Sequence, residues 1–354
     1  MKRVAIVGGG ISGVFAGIRI KEKHPDYSVS IFESNDRLLK KIYATGNGKC
    51  NFANSGSLKD KYNNSFALSV IEQFNDLDIE RYFASIGIKS KKIGDLYYPY
   101  SESAETVANH LLKRVDELKI DVHLYSRVID YNKGILSLDN GAYPYDVLII
   151  SVGGKSSPNL GSDGSLHDVL IKHGYNWKNM SPSLCPIKTK ENTKMVEGYR
   201  SKVHASLYQG KNLIHEEEGE LLFKKDGLSG MVIFNMTHFI NTLSNKNDIK
   251  IHIDFAKDMD GDIDSLVHPK IAKYLKDNKL DVHNTVFAFK DFYGFSNSQV
   301  SSGGISLDNL SNDLSSKKES NVYFIGEVVD IDAVCGGFNI MWALSSANLV
   351  SEKI

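Results

Sequence analysis

Cysteine is scarce in this chain: Cys50, Cys185 and Cys335 are the three in 354 residues, and they lie far apart. An odd, sparse set with no CxxC pair argues against a disulfide framework and for a reducing compartment. The eleven histidines are scattered without ligand spacing, so no metal site is expected. No apolar run approaches the roughly 18 residues that a membrane span needs. A charge excess is missing too. Lys and Arg number 42 against 43 Asp and Glu, a formal net charge of -1. Nucleic-acid binders usually carry a marked basic excess, so no nucleic-acid partner is expected. The local run Lys89, Lys91 and Lys92 reads as a solvated turn. The start, Met1-Lys2-Arg3 followed by Val4-Ala5-Ile6-Val7 and then glycines, lacks the longer apolar region of a signal peptide. These absences predict a soluble, cytoplasmic protein with no membrane partner, and they leave the oligomeric state open.

What is present is a substantial apolar fraction, 42% hydrophobic residues against 24% charged, enough to bury a sizeable core. The length suits about two domains on a prior of roughly 150 residues each. Residues 4–7 read as a buried parallel strand, residues 11 to 23 as a helix and residues 28–32 as a second strand. Residues 34–58 read as an ordered loop, and residues 69–87 and 104–118 as helices. Short strands follow at 121–125, 128–132 and 135–138, with a hairpin turn at Asn140-Gly141 and a buried strand at 146–152. Beyond Pro182 the texture changes. Alternating stretches at 203–208 and 249–253 predict an antiparallel β domain, with 267–275 as its one helix. Near residue 300 the pattern reverts to a strand at 322–325 and a last helix at 338–350. The expectation is a discontinuous cofactor domain, residues 1–182 and 299–354, interrupted by a β-rich substrate domain at 183–298.

The first chemical motif is Gly8-Gly9-Gly10-Ile11-Ser12-Gly13, a GxGxxG lying between strand and helix. Gly8 suits a tight turn, Gly10 lets the backbone approach a pyrophosphate, and Gly13 lets helix and strand pack closely. The helix N-terminus then offers free N–H groups to phosphate. Glu33 ends the second strand about 20 residues on, where a carboxylate can bond adenosine ribose hydroxyls and disfavours a 2′-phosphate. These residues predict dinucleotide binding without separating FAD from NAD. A second clamp does that: Tyr323-Phe324-Ile325-Gly326-Glu327 ends a strand in Gly-acid, where the carboxylate can bond a ribityl hydroxyl. Cys335-Gly336-Gly337-Phe338-Asn339 opens the last helix, whose positive end suits the charge of a reduced flavin. Other signatures fail. Ile149 stands where a phosphate loop ending in Gly154-Lys155-Ser156 needs glycine, no GxSxG occurs, and there is no second GxGxxG for a separate nicotinamide domain.

Five blocks, in order along the chain, carry a family resemblance. Thr45-Gly46-Asn47-Gly48-Lys49-Cys50-Asn51-Phe52-Ala53-Asn54 resembles the SGxGRCNxTN block of the HI0933-like flavoproteins, a family that includes BaiN-type NAD(P)/FAD-dependent oxidoreductases and aminoacetone oxidases. Ser151-Val152-Gly153-Gly154-Lys155-Ser156 is similar to its ATGGxS block. Gly219-Glu220-Leu221-Leu222-Phe223 with Gly227-Leu228-Ser229-Gly230 resembles GExLFTxxGxSGP, and Gln299-Val300-Ser301-Ser302-Gly303-Gly304-Ile305 resembles QVTxGGV. Gly326-Glu327-Val328-Val329-Asp330-Ile331-Asp332 with Gly336-Gly337-Phe338-Asn339 resembles GExLDxxGxxGGYN. The resemblance implies an α/β fold: a Rossmann-type FAD-binding domain with an inserted antiparallel β-rich domain. Lys49 replaces the family's usual Arg, keeping the charge and losing the planar fork. Met231 stands where proline is common. Only residues 254–298 remain for the family's helical subdomain, so that lid is expected to be truncated and the flavin face more open.

The expected cofactor-binding residues are Gly8, Gly10, Ile11, Ser12, Gly13, Glu33, Ser34 and Lys41 at the N-terminal end. Thr45, Gly46, Gly48, Lys49, Cys50 and Asn51 follow in the loop, with Val128, Ser151, Val152, Gly153 and Gly154 beyond. Gly326, Glu327, Gly337, Phe338 and Asn339 complete the set near the C-terminus. No catalytic group stands out. Cys50, Tyr97 and Tyr98 are weak candidates, with Tyr100 on the same loop, and packing is the plainer role for each. The function expected is an FAD-dependent oxidoreductase using NAD(P)H to reduce an activated C=C, such as an enone, by hydride transfer from flavin N5 to a small-molecule substrate. A flavin amine oxidase passing electrons to oxygen and a flavin-dependent tRNA-modifying protein are the alternatives.

Overall fold

The computed structural model describes residues Met1–Ile354. The chain divides into two compact units, Met1–Met180 with Ser302–Ile354, and Ser181–Ser301. The crossings between them are strands Trp177–Ser183 and Val300–Ile305, which pair with each other.

The discontinuous unit is built on a five-stranded sheet in the order Val322–Phe324, Val147–Ile150, Arg3–Val7, Ser28–Phe32, Asp121–His123. All four pairings are parallel. Unbroken apolar runs do this: Val4, Ala5, Ile6, Leu148, Ile149 and Ile150 are fully buried, as expected of strands covered on both faces. Helix Ile11–Lys23 buries Val14, Phe15 and Ile18, and lies against the C-terminal helix Phe338–Lys353. Each buried side chain of this size stabilises by about 1.5–3 kcal/mol. The Asn140-Gly141 turn joins two strands of a meander, Val128–Asn132, Ile135–Leu138 and Gly141–Pro144. A second small sheet pairs Ala53–Asn54 with Leu96–Pro99, and that strand with Ser90–Ile93.

The stretch 69–87, expected as one helix, is two: Phe66–Ile71 and Asp76–Ser85. Asn75 breaks it. It sits in extended backbone, its side chain accepts from the Leu77 and Asp78 N–H groups, and Asp78 answers from its own side chain. That capping box starts a new helix where apolar spacing alone suggests continuity.

The other unit is a closed six-stranded antiparallel barrel, in the order Ile187–Thr189, Gly227–Ser229, Asn212–Lys224, Arg200–Gln209, Ile249–Asp254, Thr285–Phe292. Its core includes Leu207, Phe223, Ile251, Ile253 and Phe287. Its helices are not limited to one. Pro269–Asp277 is joined by a four-residue turn of helix, Ile263–Leu266, and by the longer Met231–Thr242. The last was not expected because its residues, Val232, Ile233, Phe234, Thr237, Phe239 and Ile240 among them, have the β-branched and aromatic character of a strand. Burial on one side of the barrel overrides that preference.

Candidate cofactor and active site

The turn after Arg3–Val7 is closed by sterics that only glycine satisfies. Gly8 has φ +105, and a Cβ there would overlap the Ser151 carbonyl; a Cβ at Gly13 would overlap the Gly8 carbonyl oxygen. Ser151 Oγ fixes the turn by donating to the Val7 and Gly8 carbonyls at 2.8 and 2.9 Å. Gly10, by contrast, faces open space. Helix Ile11–Lys23 begins there with no side-chain cap and no acidic residue in its first turn. Its first N–H groups, from Ile11, Ser12 and Gly13, therefore form a donor set suited to an anion. Glu33 stands beside it. One carboxylate oxygen accepts from Gly9 N at 2.8 Å. The other accepts from Asn35 N at 2.8 Å and more weakly from Ser34 Oγ at 3.3 Å. Val128 opens its strand almost fully buried, and Ser126 N donates to the Glu33 carbonyl at 2.9 Å. These residues fit the adenosine and pyrophosphate of a dinucleotide.

A second cluster forms where three distant segments meet. Lys41 Nζ lies 2.8 Å from Glu327 and 2.6 Å from Ser156 Oγ, which donates to the same carboxylate at 3.0 Å. The Glu327 turn is pinned from behind: Gly326 N donates to Ser346 Oγ at 3.0 Å, and Trp342 Nε1 donates to the Gly326 carbonyl at 3.0 Å. Gly153, with φ +70, lies against this carboxylate, and Gly154 is buried behind it while Val152 is half-buried. The partnership of Lys41 with Glu327, and the place of Ser156 between them, were not readable from the sequence.

Residues 45–51 form a tight loop carrying four left-handed residues, Gly46, Asn47, Gly48 and Cys50. Thr45 holds it by donating to the Ile42 carbonyl at 2.7 Å and by accepting from Cys50 N at 3.1 Å. Cys50 is fully buried, and burial pushes its thiol up to about 11. With the thiol neutral and no atom exposed, Cys50 has the surroundings of a packing residue. Asn51 is the keystone of this end. With its amide oriented to satisfy its neighbours, it donates to the Ala53 and Tyr97 carbonyls at 2.9 and 3.2 Å and accepts from Gly337 N at 3.3 Å. Asn339 is a staple as well, accepting from Ala333 N at 3.0 Å and donating to its carbonyl at 2.9 Å. Helix Phe338–Lys353 has no side-chain cap, so the N–H groups after Gly337 remain a donor set.

Among the tyrosines, Tyr97 is buried, Tyr98 half-buried and Tyr100 mostly exposed. Tyr62 is a residue the sequence did not single out. Its hydroxyl donates to the Phe338 carbonyl at 2.7 Å, and burial raises its pKa well above the ordinary value. A neutral phenol thus braces the same helix start. No group of three or more His, Cys, Asp or Glu is arranged to hold a metal ion, and no helix is long and apolar enough to cross a membrane.

Comparison with known proteins shows the family. The model of the HI0933-like protein Rossmann domain matches residues 2–353. The 3-dehydro-bile acid delta(4,6)-reductase of Clostridium scindens is 27% identical, over 99% of this chain and 98% of its own. The ribosomal RNA dihydrouridine synthase of Haemophilus influenzae is 25% identical, over 97% and 96%. Among solved structures, a 3-ketosteroid delta1-dehydrogenase from Sterolibacterium denitrificans superposes with TM-score 0.55 at 11% identity, covering 100% of this chain and 99% of its own. A flavocytochrome c3 fumarate reductase gives 0.54 at 13%, covering 99% and 77%. At those identities the superpositions speak to fold alone. With the family model spanning almost every residue and a cradle of this build beneath it, the chain belongs to the HI0933-like family of flavin-dependent oxidoreductases.

Proposed function

We propose that this chain uses NAD(P)H to reduce a carbon–carbon double bond conjugated to a carbonyl group in a small molecule. The observation that carries the reading is the full-length match to two kinds of relative whose names share one chemistry. One saturates a Δ4,6 system in a 3-oxo compound, and the other saturates a base to make dihydrouridine. FAD, when bound, supplies the hydride chemistry. The chain's own residues supply position and charge. Glu33 and the start of helix Ile11–Lys23 would hold the adenosine and pyrophosphate. Lys41, Ser156 and Glu327 would grip the linking chain. The loop 45–51 and the start of Phe338–Lys353 would face the ring, the helix end favouring negative charge there. With Cys50 buried as a neutral thiol, a tyrosine hydroxyl or water is left as the proton source at the substrate, and Tyr98 is the half-buried phenol on this side.

The test is anaerobic. NADH and NADPH are offered to the FAD-loaded protein, and the reduced protein is then challenged with a panel of enones, with uridine oligonucleotides and with oxygen. Recovery of the oxidised flavin spectrum with an enone supports the reading. A second reading, reduction of uridine within RNA, draws on the dihydrouridine synthases, including that of Escherichia coli at 23% identity. The balanced charge of the chain favours the small-molecule reading.

A further inference from the structure

The run Lys89, Lys91 and Lys92, expected as a solvated turn, instead leads into the edge strand Ser90–Ile93. On one face of its small sheet, Lys91 stands directly opposite Tyr98, while Leu96 and Asn54 continue that face one pleat further on. This face meets both segments that close the ring end of the cradle. Asn54 Nδ2 donates to the Gly336 carbonyl at 2.8 Å, and Leu96 packs near Gly336. At its other end, Tyr98 comes within 3.9 Å of where a Cβ on Gly46 would sit. Lys49 arrives from the 45–51 loop, so that two ammonium groups converge on one carboxylate. Lys49 Nζ is 2.5 Å from Glu102 Oε2, and Lys91 binds the other oxygen. Glu102 holds this position in left-handed backbone, at φ +51, in the turn that leads to helix Ala104–Glu117. Lys91 also lies 5.7 Å from the centre of the exposed Tyr100 ring. The result is a solvent-accessible oxyanion seat with Tyr98 and Tyr100 both beside Lys91, filled by a side chain of the protein itself.

We propose that this seat binds the phosphate of a nicotinamide nucleotide, with Glu102 as a displaceable stand-in for it and Tyr98 or Tyr100 against a ring of the ligand. The proposal rests on the reading of the chain as an NAD(P)H-driven reductase. It assigns the reductant a place in a chain that has no second GxGxxG. A phosphate can accept from both lysines at once, as the carboxylate now does. Two lysines beside one glutamate form a small seat, too sparse for the marked basic surface that RNA needs.

The experiment is equilibrium binding to the oxidised, FAD-loaded protein, without turnover, with flavin absorbance measured in every variant and nucleotide binding expressed per FAD bound. NADPH, NADH, inorganic phosphate and an oligouridylate are the probes. Lys91→Ala and Lys49→Ala are expected to weaken NADPH or NADH by about tenfold or more, the usual worth of one charge-assisted hydrogen bond. Glu102→Gln is expected to tighten it, and inorganic phosphate to compete. Nicotinamide nucleotide affinity unchanged in both lysine variants overturns the proposal, and so does a loss confined to oligouridylate. Because binding is read apart from turnover, the two ideas fail separately. Weakened nucleotide binding in a protein that reduces no enone keeps the seat and removes the enone reading. Enone turnover with lysine-independent binding does the reverse.

Discussion

The two ends of the proposed cofactor cradle are built in different ways. The adenosine end stands on regular elements: a parallel strand, a glycine turn and a helix start, with one carboxylate beside them. The ring end stands on left-handed residues and side-chain staples, above all Asn51 and Asn339. The first kind of site needs specific backbone shapes, and the second needs specific side chains. Substitutions at the two ends should therefore fail differently: the adenosine end should lose affinity, and the ring end should lose electronic tuning.

The largest effect is expected at the shared foundation. Gly13→Val drives a side chain into the Gly8 carbonyl and Ser151. Overpacking of this kind costs about 1–3 kcal/mol, and here it also closes the phosphate site. The purified variant should carry no FAD and melt at a lower temperature; normal flavin content would show that the turn does not face the cofactor. Next comes Asn51→Ala, which leaves the Ala53 and Tyr97 carbonyls and Gly337 N without that partner, at about 1–3 kcal/mol per buried group left unsatisfied. Its flavin is expected to shift in reduction potential while FAD stays bound. An unshifted potential would demote Asn51 to loop packing.

Glu33→Ala is expected to do the opposite. FAD affinity should drop by about tenfold, in line with a lost charged hydrogen bond, while the potential of bound FAD stays put. A changed potential would break the division between the ends. The smallest expected effect is a pH dependence at the meander beside Val128. Burial works against charge on His173, but Asp130 and Glu319 outweigh it and raise its pKa. Its contribution is therefore complete below the unfolded value of about 6.5 and is lost as pH rises through the higher folded value. The melting temperature of the parent chain should fall over that window relative to His173→Gln. Parallel pH profiles would show that the ion pair adds nothing.

Legibility in the sequence follows the same divide. Gly8, Gly10, Gly13 and Glu33 announce themselves because a tight turn and a ribose acid need those residue types at fixed local spacing. The antiparallel character of the insert showed in alternation such as that of Ile249–Asp254. At the ring end the glycine-led start of helix Phe338–Lys353 was legible by itself as a donor set for a reduced flavin, but the loop 45–51 was visible only through a family block, since Asn51 reaches Gly337 across most of the chain. The Lys41, Ser156 and Glu327 cluster is hidden for the same reason: its members are 115 and 171 residues apart along the chain. Helix Met231–Thr242 was missed because burial, which a single sequence does not display, decided against its strand-like composition.

The proposed function implies an order of events as well. With one dinucleotide fold in the chain, oxidised nicotinamide should leave before the reducible substrate reacts, giving parallel lines in double-reciprocal plots. The most direct test of the central claim is anaerobic stopped-flow absorbance on the FAD-loaded protein, reduced with a stoichiometric amount of NADH or NADPH and then mixed with a 3-oxo-Δ4 enone. The account predicts bleaching of the flavin by the nicotinamide and its return on mixing with the enone, with one saturated product per flavin. Reduced flavin that ignores every enone and reoxidises only when oxygen is admitted would contradict it.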